Sequence, residues 1–482
     1  MKRLFCSQNM KHLVFLVMTM AAVILSACSD DSFSTSRSDR LSFSVDTLMM
    51  DTVFSGVPSS TYSFNVYNRN SSSLRIRQVR LSRGNQSGYR VNVDGIYLDN
   101  SNGSQASDFE VRKGDSIRVF VEFTSFASGS DTPQLVDDRL LFQLESGEQQ
   151  EVVLRAWTWD AQAITNLTVR RDTVISSPKP IIVYGGITVD SGAVLTLRSP
   201  ARLFFHSGAG IDVGGTLLVE GEKDNEVVMR GDRLDKMFTY LPYDRVSGQW
   251  RGINILASSS GNDFSFCDIH SASDAIVVDS AAYDPQRPRL VLRNATVHNN
   301  RGNGLRATNA YVRLVNCQLT NALGDCVAMR GGRLDLIYCT LAQFYPFDAS
   351  RGLALRFTPA VNPSFRSRLE SVNTVVTGYA PDELSCDTTG VDLVFSHCLL
   401  RTPSPSDSLV LSRIFPSTVF ESPSDSIQGD THFVSVDLSL QYYDFHPDSL
   451  SPLRRKATPL EAIRDDREGK QRSEQPTIGC YD

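Results

Sequence analysis

The chain has 482 residues, 41% of them hydrophobic and 9% aromatic, with a formal net charge of −6. That length accommodates two or more domains with real cores. The negative balance argues against a nucleic-acid partner, which asks for a basic face. Phe, Tyr, Val, Ile and Thr are frequent, while Gly, Asn, Asp and Ser interrupt the chain at short intervals. Only two or three stretches carry a helix-like period, so the expected class is all-β.

At the N-terminus, Lys11-His12 leads into an apolar run from Leu13 to Leu25, which closes on Ser26-Ala27-Cys28. A basic lead, a short apolar core and small residues before a cut mark a secretory signal, and the run is too short to span a bilayer comfortably. Leu25-Ser26-Ala27-Cys28 resembles a bacterial lipobox, whose Cys becomes the lipid-modified first residue of the mature protein. The resemblance implies a signal peptide over residues 1–27, read from Met1 or Met10, and a lipid on Cys28. The protein is then anchored to a membrane rather than spanning it. Ser29-Asp30-Asp31 is similar to the acidic tag that sends lipoproteins of some Gram-negative phyla to the outer face of the outer membrane. The implied location is the outer membrane, facing the cell exterior. A plain polar linker is the alternative, since residues 28–40 have the Ser-rich composition of a tether. Losing residues 1–27 removes Lys2, Arg3 and Lys11 and no acid, which takes the formal charge from −6 to −9.

Residues 41–160 read as short alternating strands, for instance Tyr62–Tyr67, Ser116–Phe123 and Arg139–Leu144, separated by Gly, Asn and Ser. About 120 residues of this kind suit a β-sandwich. The order of a loop with Lys113-Gly114-Asp115, a strand and a hairpin resembles the immunoglobulin-like spacer domains of bacterial surface proteins, although no Cys…Trp…Cys frame is present. Trp157 and Trp159 close the module and are read as packing residues.

An internal repeat dominates residues 161–425. Leu290-x-Leu292-x-Asn294-Ala295-x-Val297 aligns with Val312-x-Leu314-x-Asn316-Cys317-x-Leu319 and with Leu334-x-Leu336-x-Tyr338-Cys339-x-Leu341, a period of 22 residues. Further copies begin at Leu369 and Leu393, and an earlier one is Phe264-x-Phe266-Cys267-x-Ile269. A repeat of this length with period-2 apolar positions and no helix is the pattern of a solenoid. Stacked coils would pile Cys267, Ala295, Cys317, Cys339, Thr374 and Cys398 about 4.8 Å apart. In-register stacking rarely offers disulfide geometry, so the thiols are expected free and buried. The segments Gly192–Leu197, Gly210–Gly221 and Gly248–Leu256 resemble the opening turns of right-handed parallel β-helix proteins of bacterial surfaces, a likeness covering residues 175–420. The end of the chain, Asp466-x-x-Gly469 through Ile478-Gly479-Cys480-Tyr481-Asp482, resembles a terminal segment common in that group. Residues 426–482 are expected to pack on the end of the β-helix.

That fold family includes polysaccharide lyases and glycosidases, so the residues decide the chemistry. Gly324-Asp325-Cys326 resembles part of the polygalacturonase stretch with two adjacent acids, but Gly324 stands where the second carboxyl should be, and hydrolysis needs two. Gly302-Asn303-Gly304 one coil earlier supplies no acid. Asp263, Asp268 and Asp274 come close in sequence and leave calcium possible, with turn chemistry as the alternative. His206, His270, His298 and His397 are scattered one per coil, and His397, at the ladder position of Asn294 and Asn316, is read as packing or bonding locally. Asp-Ser/Thr followed by a small or aliphatic residue recurs, as at Asp387-Thr388-Thr389, Asp407-Ser408-Leu409 and Asp448-Ser449-Leu450. The motif resembles an O-glycosylation signal of the same phyla, and Asp–Ser/Thr turns are the alternative.

The function expected is therefore non-catalytic binding of a glycan or a surface partner. Asp274, Asn303, Asp325, Tyr240, Tyr243 and Tyr345 are the candidate contacts, with Tyr283 and Phe347 as further aromatics in insertions between coils; the alternative for these aromatics is that they cover the solenoid's flank. No resident metal or other cofactor is assigned. The rival expectation is a lyase or glycosidase acting on acidic polysaccharide.

Overall fold

A computed structural model describes residues 32–360, 366–387 and 389–482. Cys28 and the acidic residues after it lie outside that range. The described chain forms two compact units, one running to Phe126 and resuming over Gln134–Thr158, the other comprising Ala127–Pro133 and Trp159–Asp482.

The first unit is a β-sandwich of the immunoglobulin-like kind. One five-stranded sheet runs in the order 42–43, 62–67, 116–123, 89–93, 96–97, and the other in the order 47–54, 149–159, 134–144, 74–81, 105–111. Alternation decides which side chains face inward: Ile117, Val119, Val121 and Phe123 are buried while Ser116, Arg118 and Phe120 point out. They meet Ile76, Val79, Phe142, Val152 and Leu154 in one apolar core.

The second unit is a right-handed parallel β-helix. Twenty-five strands follow one another in a single winding sheet among the described residues. Three faces recur. The first stacks strands 194–198, 216–220, 262–265, 290–293, 312–315, 334–337, 367–372 and 391–396. The second stacks 202–205, 227–231, 267–270, 296–300, 318–322, 340–343, 375–378 and 399–400. The third stacks 187–189, 210–213, 252–255, 276–278, 305–308, 327–330, 355–358 and 384–386. Leu290, Val312, Leu334, Leu369 and Leu393 lie in register, as the repeat requires.

The corner between the first two faces explains the residue before each small one. Phe266, Asn294, Asn316, Tyr338, Asn373 and His397 all have φ between 46° and 55°. A chain that turns sharply after a strand needs one left-handed residue, and Asn tolerates that conformation better than most. The next position points inward, where Cys267, Ala295, Cys317, Cys339, Thr374 and Cys398 are wholly buried. The seven described cysteines are unpaired. Burial pushes the Cys398 thiol up to about 11 and that of Cys480 up to about 12, which keeps both protonated.

Residues beyond 425 depart from the expectation that they close the end of the solenoid. They run back along its side, because the corner column leaves Asn amides that need partners. Asn373 donates to Thr458 O (2.8 Å) and accepts from Thr458 N (2.8 Å), Asn316 donates to Asp465 O (2.8 Å), and Asn294 donates to Asp466 O (2.7 Å). Beyond them, Arg467 clasps Glu226 at 2.6 and 3.0 Å. Asp448 accepts from the backbone N–H of Leu450, closing a side-chain-capped turn, and Asp407 accepts from that of Leu409 as the N-cap of the helix Ser408–Ile414.

Leu314 is fully buried in the solenoid core, and its neighbour Arg313 faces outward. Leu314→Ala is expected to destabilise the second unit by about 2–5 kcal/mol in chemical unfolding, while Arg313→Ala changes it by about 0.5 kcal/mol or less.

Candidate functional site

Parallel register places Asp274, Asn303 and Asp325 one above another at the corner that leads into the third face. Asp274 Oδ1 accepts from Asn303 N (2.7 Å) and Nδ2 (3.0 Å), and Asn303 Oδ1 accepts from Asp325 N (3.0 Å). Asp325 Oδ1 accepts from Leu353 N (2.8 Å), and Arg356 Nε donates to Asp325 Oδ2 (2.7 Å). The three residues are brought together, but their polar atoms hold the coil corner. The missing second acid has a steric cause. A Cβ on Gly324 would lie 2.7 Å from Asn303 Oδ1 and 2.9 Å from the backbone of Gly302, so only glycine fits the stack.

The other expected contacts are dispersed. Asp263 pairs with Arg293 on the first face, Asp268 projects from the second and Asp274 sits at the corner, so a calcium cage is not assembled from those three. Tyr240 is 52% exposed and stacks on Phe238 at 5.7 Å, and the Arg233 guanidinium lies 3.9 Å from the Tyr243 ring centroid. Phe347 is exposed. Tyr345 is not the exposed contact expected of it but takes the alternative place, against the solenoid's flank. It is 6% exposed, with its hydroxyl 2.9 Å from Ser247 Oγ, because the residues after Gln343 fold back against the solenoid.

Two histidines that read as scattered, one per coil, are brought together by the second face. Strands 267–270 and 296–300 are in register, with His270 opposite His298, and the two rings stack at 4.6 Å. Cys267 and Ile269 point inward, so alternation sends Asp268 and His270 outward. Asp268 Oδ1 lies 2.9 Å from His270 Nδ1 and 3.2 Å from His298 Nε2. His270 Nε2 lies 3.1 Å from Asp244 Oδ1, and Arg230 pairs with the same carboxylate. Asp244 comes from the loop between strands 227–231 and 252–255. Burial opposes charge on His270, but Asp268 and Asp244 outweigh it and hold the imidazole up to about 9. Burial likewise disfavours the Asp268 and Asp244 carboxylates, yet the facing histidines, with Arg230 at Asp244, hold both below the usual carboxylate range. Counting three residues past Cys267 and past Ala295 was the sequence signal for this pair.

The cluster borders a cleft of about 440 Å³ between the second face and the returning C-terminal segment. His298, Asn299, Gln318, Asn321, Tyr442 and Tyr481 are among its walls. Tyr481 donates to Gln318 Oε1 (2.8 Å), and Tyr442 is 51% exposed at the rim. The Tyr481 ring lies 4.1 Å from that of His446, whose Nδ1 is 2.7 Å from Asp444 Oδ1.

A histidine held above its ordinary 6.5 adds stability that is complete below pH 6.5 and is lost as pH rises through about 9. In chelator-treated protein, unfolding free energy is therefore expected to fall by on the order of 3 kcal/mol between those limits through this group. His270→Asn should flatten that slope in urea titrations at pH 6 and 9.5.

No family model and no curated protein matches the chain. Among solved structures, pectate lyase Pel9A is 14% identical over 67% of this chain and 88% of its own, with a TM-score of 0.26. The human CEP192 PapD-like domain 7 is 9% identical over 28% of this chain and 94% of its own, at a TM-score of 0.18. A family 123 glycoside hydrolase from Clostridium perfringens is 7% identical over 26% of each chain, at a TM-score of 0.17. The fold itself is shown by the strand register described above.

Proposed function

We propose that the chain is a lipid-anchored protein of the outer cell surface whose β-helix binds glycan, without chemistry, in the cleft over the second face. The anchor is supported by the lipobox-like Leu25–Cys28 and by Ser29-Asp30-Asp31. The observation that carries the binding role is the cleft itself. It offers amides from Asn299, Gln318 and Asn321 and an aromatic rim at Tyr442, the pairing of polar groups and apolar rings that orients a small ligand.

The acids favour binding over cleavage. A glycosidase needs one carboxyl kept protonated and a second one free. Asp244 and Asp268 are instead paired with Arg230 and the two histidines, which keeps them ionised. Glu383 is the carboxyl that burial pushes up to about 8, but it is wholly enclosed and accepts from Ala354 N and Ala380 N, out of reach of a polymer.

On a glycan array the mature chain is expected to retain a saccharide and release no reducing or unsaturated ends. Tyr442→Ala and Gln318→Ala should each weaken retention about tenfold, a loss of about 1.4 kcal/mol, while Tyr240→Ala leaves it unchanged. Release of sugar ends would establish the lyase or glycosidase reading instead. Separately, Cys28→Ser should abolish palmitate labelling and move the protein from the membrane to the soluble fraction.

A further inference from the structure

We infer that Asp268, His270 and His298 form a binding site for one divalent transition-metal ion of the zinc kind, open to the cleft. The ion needs no sugar to bind, so this site stands or falls independently of the glycan reading.

Asp268 Oδ1, His270 Nδ1 and His298 Nε2 all lie within 4.8 Å of one another, with the carboxylate oxygen 2.9 and 3.2 Å from the two nitrogens. Ligands at about 2.0–2.2 Å around a tetrahedral ion stand roughly 3.3 Å apart, so the two carboxylate–nitrogen separations are already within about 0.4 Å of that spacing. Two imidazoles and one carboxylate suit zinc or a similar ion better than calcium, which prefers an all-oxygen shell. Backbone register fixes the arrangement. His270 and His298 are partners on adjacent parallel strands, and Asp268 is two residues before His270 on the same outward row.

The surroundings fit a ligand role. A metal-bound histidine usually gives its other ring N–H to a carboxylate that orients it. His270 directs its Nε2 to Asp244 at 3.1 Å, and Arg230 holds Asp244 in turn. The side chains of Asp268 and His298 are 28% and 23% exposed, and His298 lines the cleft. A fourth position therefore faces solvent, where water or a ligand hydroxyl can complete the shell. Binding replaces with the ion the protons that His270 Nδ1 and His298 Nε2 present to Asp268; each ring holds one proton on its other nitrogen, and the excess leaves to solvent.

The test uses the untagged mature chain, stripped with EDTA, dialysed, and titrated with CoCl₂ and ZnCl₂ at pH 7.5. One Co²⁺ per chain is expected, with visible ligand-field absorption that Zn²⁺ abolishes. His298→Ala should weaken uptake about 100-fold, and Asp244→Asn about tenfold with the stoichiometry kept. His206→Ala, on another coil and paired with Asp232, should bind as the parent does. Circular dichroism confirms that each variant is folded, and His298→Gln replaces His298→Ala if the latter is not. Absence of saturable uptake by the folded parent overturns the site. So does uptake unchanged by the folded His298 variant, or lost in His206→Ala.

Discussion

Parallel stacking in exact register is the constraint on which the second unit depends. Every coil follows the same path, so one position in the repeat has one environment, whichever coil carries it. A slip of one residue would turn each inward side chain outward. The chain keeps register through insertions of unequal length, because the loops between strands absorb them. Leu334 and Leu369 still pair although the spacing there exceeds the 22 residues that separate Leu290, Val312 and Leu334.

From that register the cleft follows step by step. The turn between the first and second faces demands a left-handed residue, and Asn supplies it on three coils. Asn at that corner projects an amide that must be satisfied, and the C-terminal segment satisfies it with backbone groups of Thr458, Asp465 and Asp466. The segment is thereby held along the side, where Arg467 donates to Thr296 and Tyr481 to Gln318 on the outward row of the second face. Asp244, from the loop after strand 227–231, faces the same row. Loop and segment do not close over it completely, and the space left is the cleft.

What could be read from sequence was whatever repeats. The solenoid, the inward column from Cys267 to Cys398 and the stack of Asp274, Asn303 and Asp325 come from period and alignment alone. What escaped was whatever arrives from outside the repeat. Asp244 sits in a loop without periodicity, and the path of residues 426–482 depends on corner amides whose partners are distant in sequence. The His270–His298 pair lay between. Its spacing of 28 residues differs from the 22-residue period because a loop intervenes, and only alignment on the cysteine column reveals it. For Tyr345 the sequence left exposure and flank cover both open, because an aromatic in an insertion gives no sign of which way the insertion folds.

A crystal structure of the mature chain tests this account most directly, through the second face. The His270 and His298 rings are expected to stack near 4.6 Å, with Asp268 between their facing nitrogens and Tyr481 bonded to Gln318. Histidines on different faces, or a C-terminal segment packed away from Asn294, Asn316 and Asn373, would contradict it.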